Sequence, residues 1–224
     1  MTASRPPGPP NVGAMSFSGQ LRESSTTVWD AAVGHRFVDE LWAGTVDRAV
    51  LRRYLEQDFQ FVDSFVALLG AAVANADRPS PRVRLARQLG LVAGPENDYF
   101  ERSLGELDGT ATPVRAAPTV GFLELMDSAR EDGYPEALAV LVVAEWLYLD
   151  WASRPDTPTP DDVICREWIE LHRGVEFEEW VVFLRAELDR VAADLDPQRR
   201  ERVAALFVRA VDLELAFFDA AYEG

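Results

Sequence analysis

Residues 137–152 read ALAVLVVAEWLYLDWA, from Ala137 to Ala152, with Glu145 and Asp150 as the only charges and neither glycine nor proline. A helix that is apolar nearly all round packs on every side within a helical core. The run falls short of the about 20 apolar residues that a bilayer crossing takes. Leu138, Leu141, Val142, Tyr148 and Leu149 recur at helical spacing, and Glu145 falls in the gap of that same stripe. A carboxylate in that position is desolvated unless something satisfies it, which raises its pKa and makes it a candidate acid or base. The alternative is a carboxylate that only accepts hydrogen bonds between helices.

Working outward, the flanking segments repeat the pattern. Asp47 reads as the N-cap of a helix running to about Ala76, whose apolar face carries Leu51, Tyr54, Leu55, Val62, Phe65, Val66, Leu69 and Val73. Asp58 sits on that same face, four residues after Tyr54 and four before Val62. In the last helical segment, from Pro197 to about Tyr222, Glu214 lies within a stripe of Val203, Leu206, Phe207, Ala210, Leu213 and Phe217. Between these lie an interrupted helix over Leu21–Ala43 closed by Gly44, a helix over Arg82–Leu107 kinked near Gly94-Pro95, and a short helix over Thr119–Arg130. A helix opened by Thr159-Pro160 and another over Glu176–Leu195 follow the central run. No segment alternates with the period of a strand. The expected class is all-α, a single-domain helical bundle over residues 20–224. Residues 1–19, rich in proline, glycine and serine and lacking an apolar stretch, are expected to be a disordered tail. Three core-facing carboxylates on three helices, Asp58, Glu145 and Glu214, predict one polar pocket inside the bundle.

Composition narrows the chemistry. The 224 residues carry a net charge of −16, which disfavours nucleic acid and anionic membrane as partners. All 22 basic residues are arginine, so a Schiff-base lysine, a phosphate-loop lysine and a pyridoxal-phosphate anchor are excluded. The single cysteine, Cys165, cannot form an internal disulfide and fits a reducing, cytoplasmic compartment. Two histidines, His35 and His172, leave little for a transition-metal site, so neither metal nor cofactor is expected.

With these residues in view, the chain resembles the thiaminase II (TenA) family, whose fold is the heme-oxygenase-like helical bundle. The likeness runs from about Trp29 onward and is carried by His35-Arg-Phe-Val, Tyr54-Leu-Glu-Gln-Asp-Phe-Gln-Phe, Pro118-Thr-Val-Gly-Phe, Ala144-Glu-Trp-Leu-Tyr, Arg166-Glu-Trp-Ile, Val175-Glu-Phe and Glu214-Leu-Ala-Phe-Phe-Asp-Ala-Ala-Tyr. The resemblance implies a homo-oligomer, dimer or tetramer, acting on a pyrimidine-like small molecule. It implies that Asp58 holds an aminopyrimidine ring and that Glu214 hydrogen-bonds and moves protons at that ring. Where many members carry tyrosines, this chain has Phe61, Phe122 and His172, keeping aromatic faces in the first two cases while losing hydroxyl donors. Members with a nucleophilic cysteine place it just before the Trp-Leu-Tyr run. Here those positions are Ala144 and Glu145, and Cys165 does not replace it, so the chain resembles the cysteine-less branch.

The activity so implied is hydrolytic C–N cleavage of an aminopyrimidine, a thiamin-salvage reaction. Asp58, Glu145 and Glu214 are its candidate catalytic residues. Phe61, Phe122 and either Trp146 or Tyr148 are expected as walls, and His172 at the mouth. Two other readings stand beside it. One is a binding protein, or one of altered specificity, that kept the pocket but not the chemistry. The other is a diiron oxidase of the same bundle fold, for which His172-x-x-x-Glu176 offers only part of the required imidazole set.

Overall fold

The computed structural model describes residues 15–223, which are all-α, with no strand among them. In chain order the helices are α1 (Phe17–Ser24), α2 (Thr26–Val33), α3 (Arg36–Ala43), α4 (Arg48–Asp58), α5 (Phe61–Asn75) and α6 (Pro79–Leu91). A π-helical turn, Val92–Glu96, then leads into α7 (Asn97–Glu106), α8 (Ala117–Asp132), α9 (Tyr134–Ala152), α10 (Val163–Leu171), α11 (Val175–Ala192) and α12 (Pro197–Ala220). No helix among the described residues is long and apolar enough to cross a membrane.

Helix α9 contains the sequence quoted first and is buried along almost its whole length, with α5, α8, α11, α12 and α2 packed around it. Gly133 starts it with φ +130°, a conformation open to glycine, and a side chain there would also press on the Arg199 guanidinium. The far end is tied down by indoles. Trp29 Nε1 donates to Asp150 Oδ2 at 2.9 Å, and Trp42 Nε1 donates to the Trp151 carbonyl at 3.0 Å. Thus one of the two charges in the central run is satisfied by a donor from α2. One continuous apolar core joins all these helices.

Three local expectations are corrected. The helix from Asp47 does not run unbroken to Ala76: after its Asp47 N-cap, α4 stops at Asp58, Phe59 and Gln60 turn, and α5 restarts at Phe61. The side chains explain the turn, because Gln57 and Gln60 are drawn to the loop over residues 107–116. Gln57 Nε2 donates to the Val114 carbonyl, its Oε1 accepts from Ala116 N and Thr119 Oγ1, and Gln60 Nε2 donates to the Ala111 carbonyl. Helix α10 is capped by Asp162, which accepts from Cys165 N at 2.9 Å, and not by Thr159. Pro160 instead packs against Gly44, which ends α3 in the left-handed region at φ +65°. At the N-terminus, α1 begins inside the stretch expected as a tail. Ser16 caps Gly19 N, Ser18 N and Oγ donate to Asp189, and Arg200 covers the Phe17 ring at 4.3 Å. Residues 1–14 of that expectation lie outside the described residues.

Buried acids away from the centre are matched with donors. Glu136, 2% exposed, takes a two-pronged pair from Arg199, with both N···O distances 2.8 Å. Glu187 accepts from Tyr134, Arg78 and Arg190. Removing the donor while leaving the acid buried should therefore be costly: Arg199→Ala is expected to lower unfolding stability by about 2–3 kcal/mol. Urea denaturation measures it, and a change within experimental error would show that the pair contributes nothing.

Candidate active site

A cavity of about 300 Å³, in the range of small-molecule pockets, opens between α4, α5, the π-turn, α8, α9, α10, α11 and α12. Asp58 reaches it from the last position of α4, Glu145 from α9 and Glu214 from α12. The helix break after Asp58 sets Phe61 beside Phe122 of α8, in tilted contact with ring centroids 5.4 Å apart, and Phe217 packs on Phe61 at 5.1 Å. Phe65, Phe100, Met126, Trp168, Phe177 and Trp180 complete an apolar lining, flat enough for a planar ring.

All three carboxyls are buried, and none has an ion pair among the described residues; the Tyr54 hydroxyl bears on Asp58 and the Trp180 indole N–H on Glu145. One oxygen of Asp58, Oδ2, is fully enclosed without a partner. Burial pushes the Asp58 carboxyl well above the usual carboxylate range; the nearby Tyr54 hydroxyl opposes this, and the charge of Glu96 adds to it. Burial and then the charge of Asp58 do the same to Glu214. Glu145 is pushed up to about 8, chiefly by burial, against the pull of the Trp180 indole N–H. Raised in this way, the acids favour their protonated forms and can exchange protons with a ligand.

Behind them runs a hydroxyl chain. Trp168 Nε1 donates to Tyr54 Oη at 3.2 Å, and Tyr54 Oη lies 2.9 Å from Tyr148 Oη. Because Tyr148 lines the cavity, the chain ends on a hydroxyl at the ligand position. His172 also lines it. Its Nδ1 is 2.9 Å from the Trp168 carbonyl, which can only accept, so Nδ1 carries the proton and Nε2 the lone pair. Burial lowers its pKa to about 4, and the ring is neutral.

The structure thus brings Asp58, Phe61, Phe122, Glu145, Tyr148, His172 and Glu214 to one cavity. Of the two alternatives on α9, Tyr148 lines the cavity and Trp146 points away from it, packed edge-on against Trp29 at 5.2 Å and under Arg185 at 3.6 Å, because Ala144, Glu145 and Tyr148 occupy the facing stripe. One placement differs from expectation. His172 is buried in the wall among Tyr148, Trp151, Trp168 and Phe177, and the exposed rim is formed by Leu91, Glu170, Arg173 and Glu176. Sequence reasoning missed Glu96, Phe65 and Trp180. For Glu96 the signal was present in Gly94-Pro95, read only as a kink. Cys165 is buried outside the cavity, with its thiol pushed up by burial. His35 caps α3 through Nδ1 and faces Asp219 through Nε2 at 3.2 Å, also outside it. Among the described residues no three His, Cys, Asp or Glu side chains are grouped to hold a metal.

Residues 22–224 match the TENA/THI-4/PQQC family. The chain is 22% identical over 215 residues to an aminopyrimidine aminohydrolase of Halalkalibacterium halodurans, covering 93% of this chain and 96% of that one. It is likewise 22% identical to an aminopyrimidine aminohydrolase of Helicobacter pylori, over 93% of this chain and all of the relative. Its fold matches that of a TenA homologue from Pyrococcus furiosus with a TM-score of 0.80 at 20% identity, over 92% of this chain and all of that one. The bundle is therefore of the heme-oxygenase-like type.

The raised pKa of Glu145 has a sign that can be checked. The folded protein keeps this proton to about pH 8, whereas an unfolded chain releases it near 4.5. The resulting destabilisation is absent below the unfolded value, grows as pH rises toward 8, and is constant above. Glu145→Gln removes the titration, so its stability relative to wild type should rise by about 1.4 kcal/mol per pH unit between roughly pH 5 and 8. Urea unfolding across that window measures it, and parallel profiles would place the Glu145 proton elsewhere.

Proposed function

The chain belongs to the TENA/THI-4/PQQC family, and from that premise we propose that it is an aminopyrimidine hydrolase of thiamin salvage, cleaving the C–N bond of an aminomethyl or formylaminomethyl arm. The observation that carries this reading is the contrast between two sets of buried acids. Glu136, Glu187 and Asp150 are each gripped by protein donors, while Asp58, Glu145 and Glu214 face the cavity without an ion pair, Asp58 Oδ2 having no partner at all. Buried polar groups are ordinarily hydrogen-bonded, and acids left open toward a cavity favour a ligand that brings the donors. An aminopyrimidine does so with its exocyclic amino group, and its flat face suits the aromatic wall that Phe61 and Phe122 form side by side.

In this reading Asp58 accepts from the ring amino group. Glu214, held in its acid form by burial, donates to a ring nitrogen, and the arm enters as its ammonium form, so that the departing nitrogen is already protonated. With an aminomethyl arm as substrate, the C–N bond breaks with its electron pair going to nitrogen, which leaves as ammonia. A water oxygen bonds to the methylene carbon and gives a proton to the ionised form of Glu145, leaving a hydroxymethyl product. The Trp168–Tyr54–Tyr148 chain orients the hydroxyl beside the ring, and His172 Nε2 offers one more acceptor. The reaction thus uses carboxyls where Ala144 and Glu145 stand in place of a cysteine nucleophile.

The same proposal includes a cytoplasmic location, supported by the lone buried cysteine, and self-association.

Ammonia release from 4-amino-5-aminomethyl-2-methylpyrimidine tests the function. Wild type is expected to turn over, and Asp58→Asn, Glu145→Gln and Glu214→Gln, each shown to be folded, should fall on the order of a hundredfold or more. Variants within a few-fold of an active wild type would place the chemistry elsewhere. Tight binding without turnover by wild type would make this a binding protein that kept the pocket.

A further inference from the structure

A fourth carboxyl faces the same cavity. Glu96 closes the π-helical turn Val92–Glu96, in which Gly94 and Pro95 interrupt the run from α6 into α7. Adding a residue to a helical turn changes the direction of the side chains that follow, and such turns are frequent at functional sites. Here the turn brings Glu96 to the cavity. Its charge acts on Asp58, Glu145 and Tyr148. No hydrogen bond or ion pair engages it among the described residues, and Arg173, the one arginine lining the cavity, lies exposed on the rim.

We propose that Glu96 is a specificity-determining residue: its carboxylate pairs with a positively charged primary-amine arm of the substrate and so selects an ammonium ligand over a neutral isostere. The identity of the arm rests on the aminopyrimidine reading above. The unpartnered, enclosed Asp58 Oδ2 independently marks this cavity as one that awaits a donor-bearing ligand. Burial raises Glu96 to about 7 and Glu145 to about 8, and pushes Asp58 and Glu214 well above the usual carboxylate range. A cation entering the cavity therefore finds its counter-charge on Glu96, while Asp58 and Glu214 remain free to read the ring. His172 is neutral and offers no competing positive charge.

The test is calorimetric titration at pH 7 of wild type and Glu96→Gln with two matched pairs, the reactive pyrimidine amine being titrated with Glu145→Gln added to both proteins to stop its turnover. The first is 4-amino-5-aminomethyl-2-methylpyrimidine against its hydroxymethyl counterpart; the second is benzylamine against benzyl alcohol. Loss of a charge-assisted pair should weaken both amines about tenfold or more in Glu96→Gln. The two alcohols should stay within about threefold, which also reports an intact pocket. If wild type holds benzylamine in a Glu96-dependent way but neither pyrimidine, the role of Glu96 stands and the pyrimidine reading falls. Amines and alcohols weakened alike, amines unaffected by the substitution, or a wild type that binds neither amine would each overturn the proposal.

Discussion

A carboxyl taken out of water without a donor is costly, and this protein does it at three helical positions around one space. Elsewhere in the same core the cost is offset by protein partners: Arg199 grips Glu136, three side chains surround Glu187, and an indole meets Asp150. Asp58, Glu145 and Glu214 receive nothing comparable and respond by holding their protons. The desolvated, unpaired carboxyl is the feature on which the site's chemistry depends, because it yields acids that donate to a ring at neutral pH and acceptors that engage an amine once ionised.

The fold exists to hold that arrangement. Because α9 is apolar on nearly every face, it is packed on every side, and Glu145 cannot turn toward solvent. The break at Phe59-Gln60 ends α4 so that Asp58 and Phe61 address the same cavity from two helices, and glutamine contacts to the 107–116 loop hold that break in place. The π-turn performs a similar service for Glu96 on the opposite side. Aromatic rings fill the remaining wall, which keeps the space dry and the acids uncharged.

Much of this was legible in the sequence. The all-α class follows from helical periodicity, and the central position of α9 from a run with no polar face. The cavity residues Asp58, Glu145 and Glu214 were visible as acids on apolar stripes. What periodicity could not reveal was where a stripe is interrupted. The pattern through Asp58 continues in phase into α5, so the turn at Phe59-Gln60, fixed by side-chain contacts to a distant loop, left no local trace. For the same reason Trp146 and Tyr148 could not be told apart, since on a helix buried all round hydrophobicity does not say which face meets a cavity. Glu96 was hidden because a π-turn shifts the register that the reading assumed, and Gly94-Pro95 signalled only that the helix was disturbed.

The central claim is that the unpartnered carboxyls are completed by an aminopyrimidine. A crystal structure of the protein bound to 4-amino-5-hydroxymethyl-2-methylpyrimidine tests it most directly. The account predicts the ring lying against the Phe61 and Phe122 wall, with Asp58 within hydrogen-bond distance of the exocyclic amino group and Glu214 of a ring nitrogen. A ring bound elsewhere, or one in the cavity that leaves Asp58 and Glu214 unengaged, would contradict it.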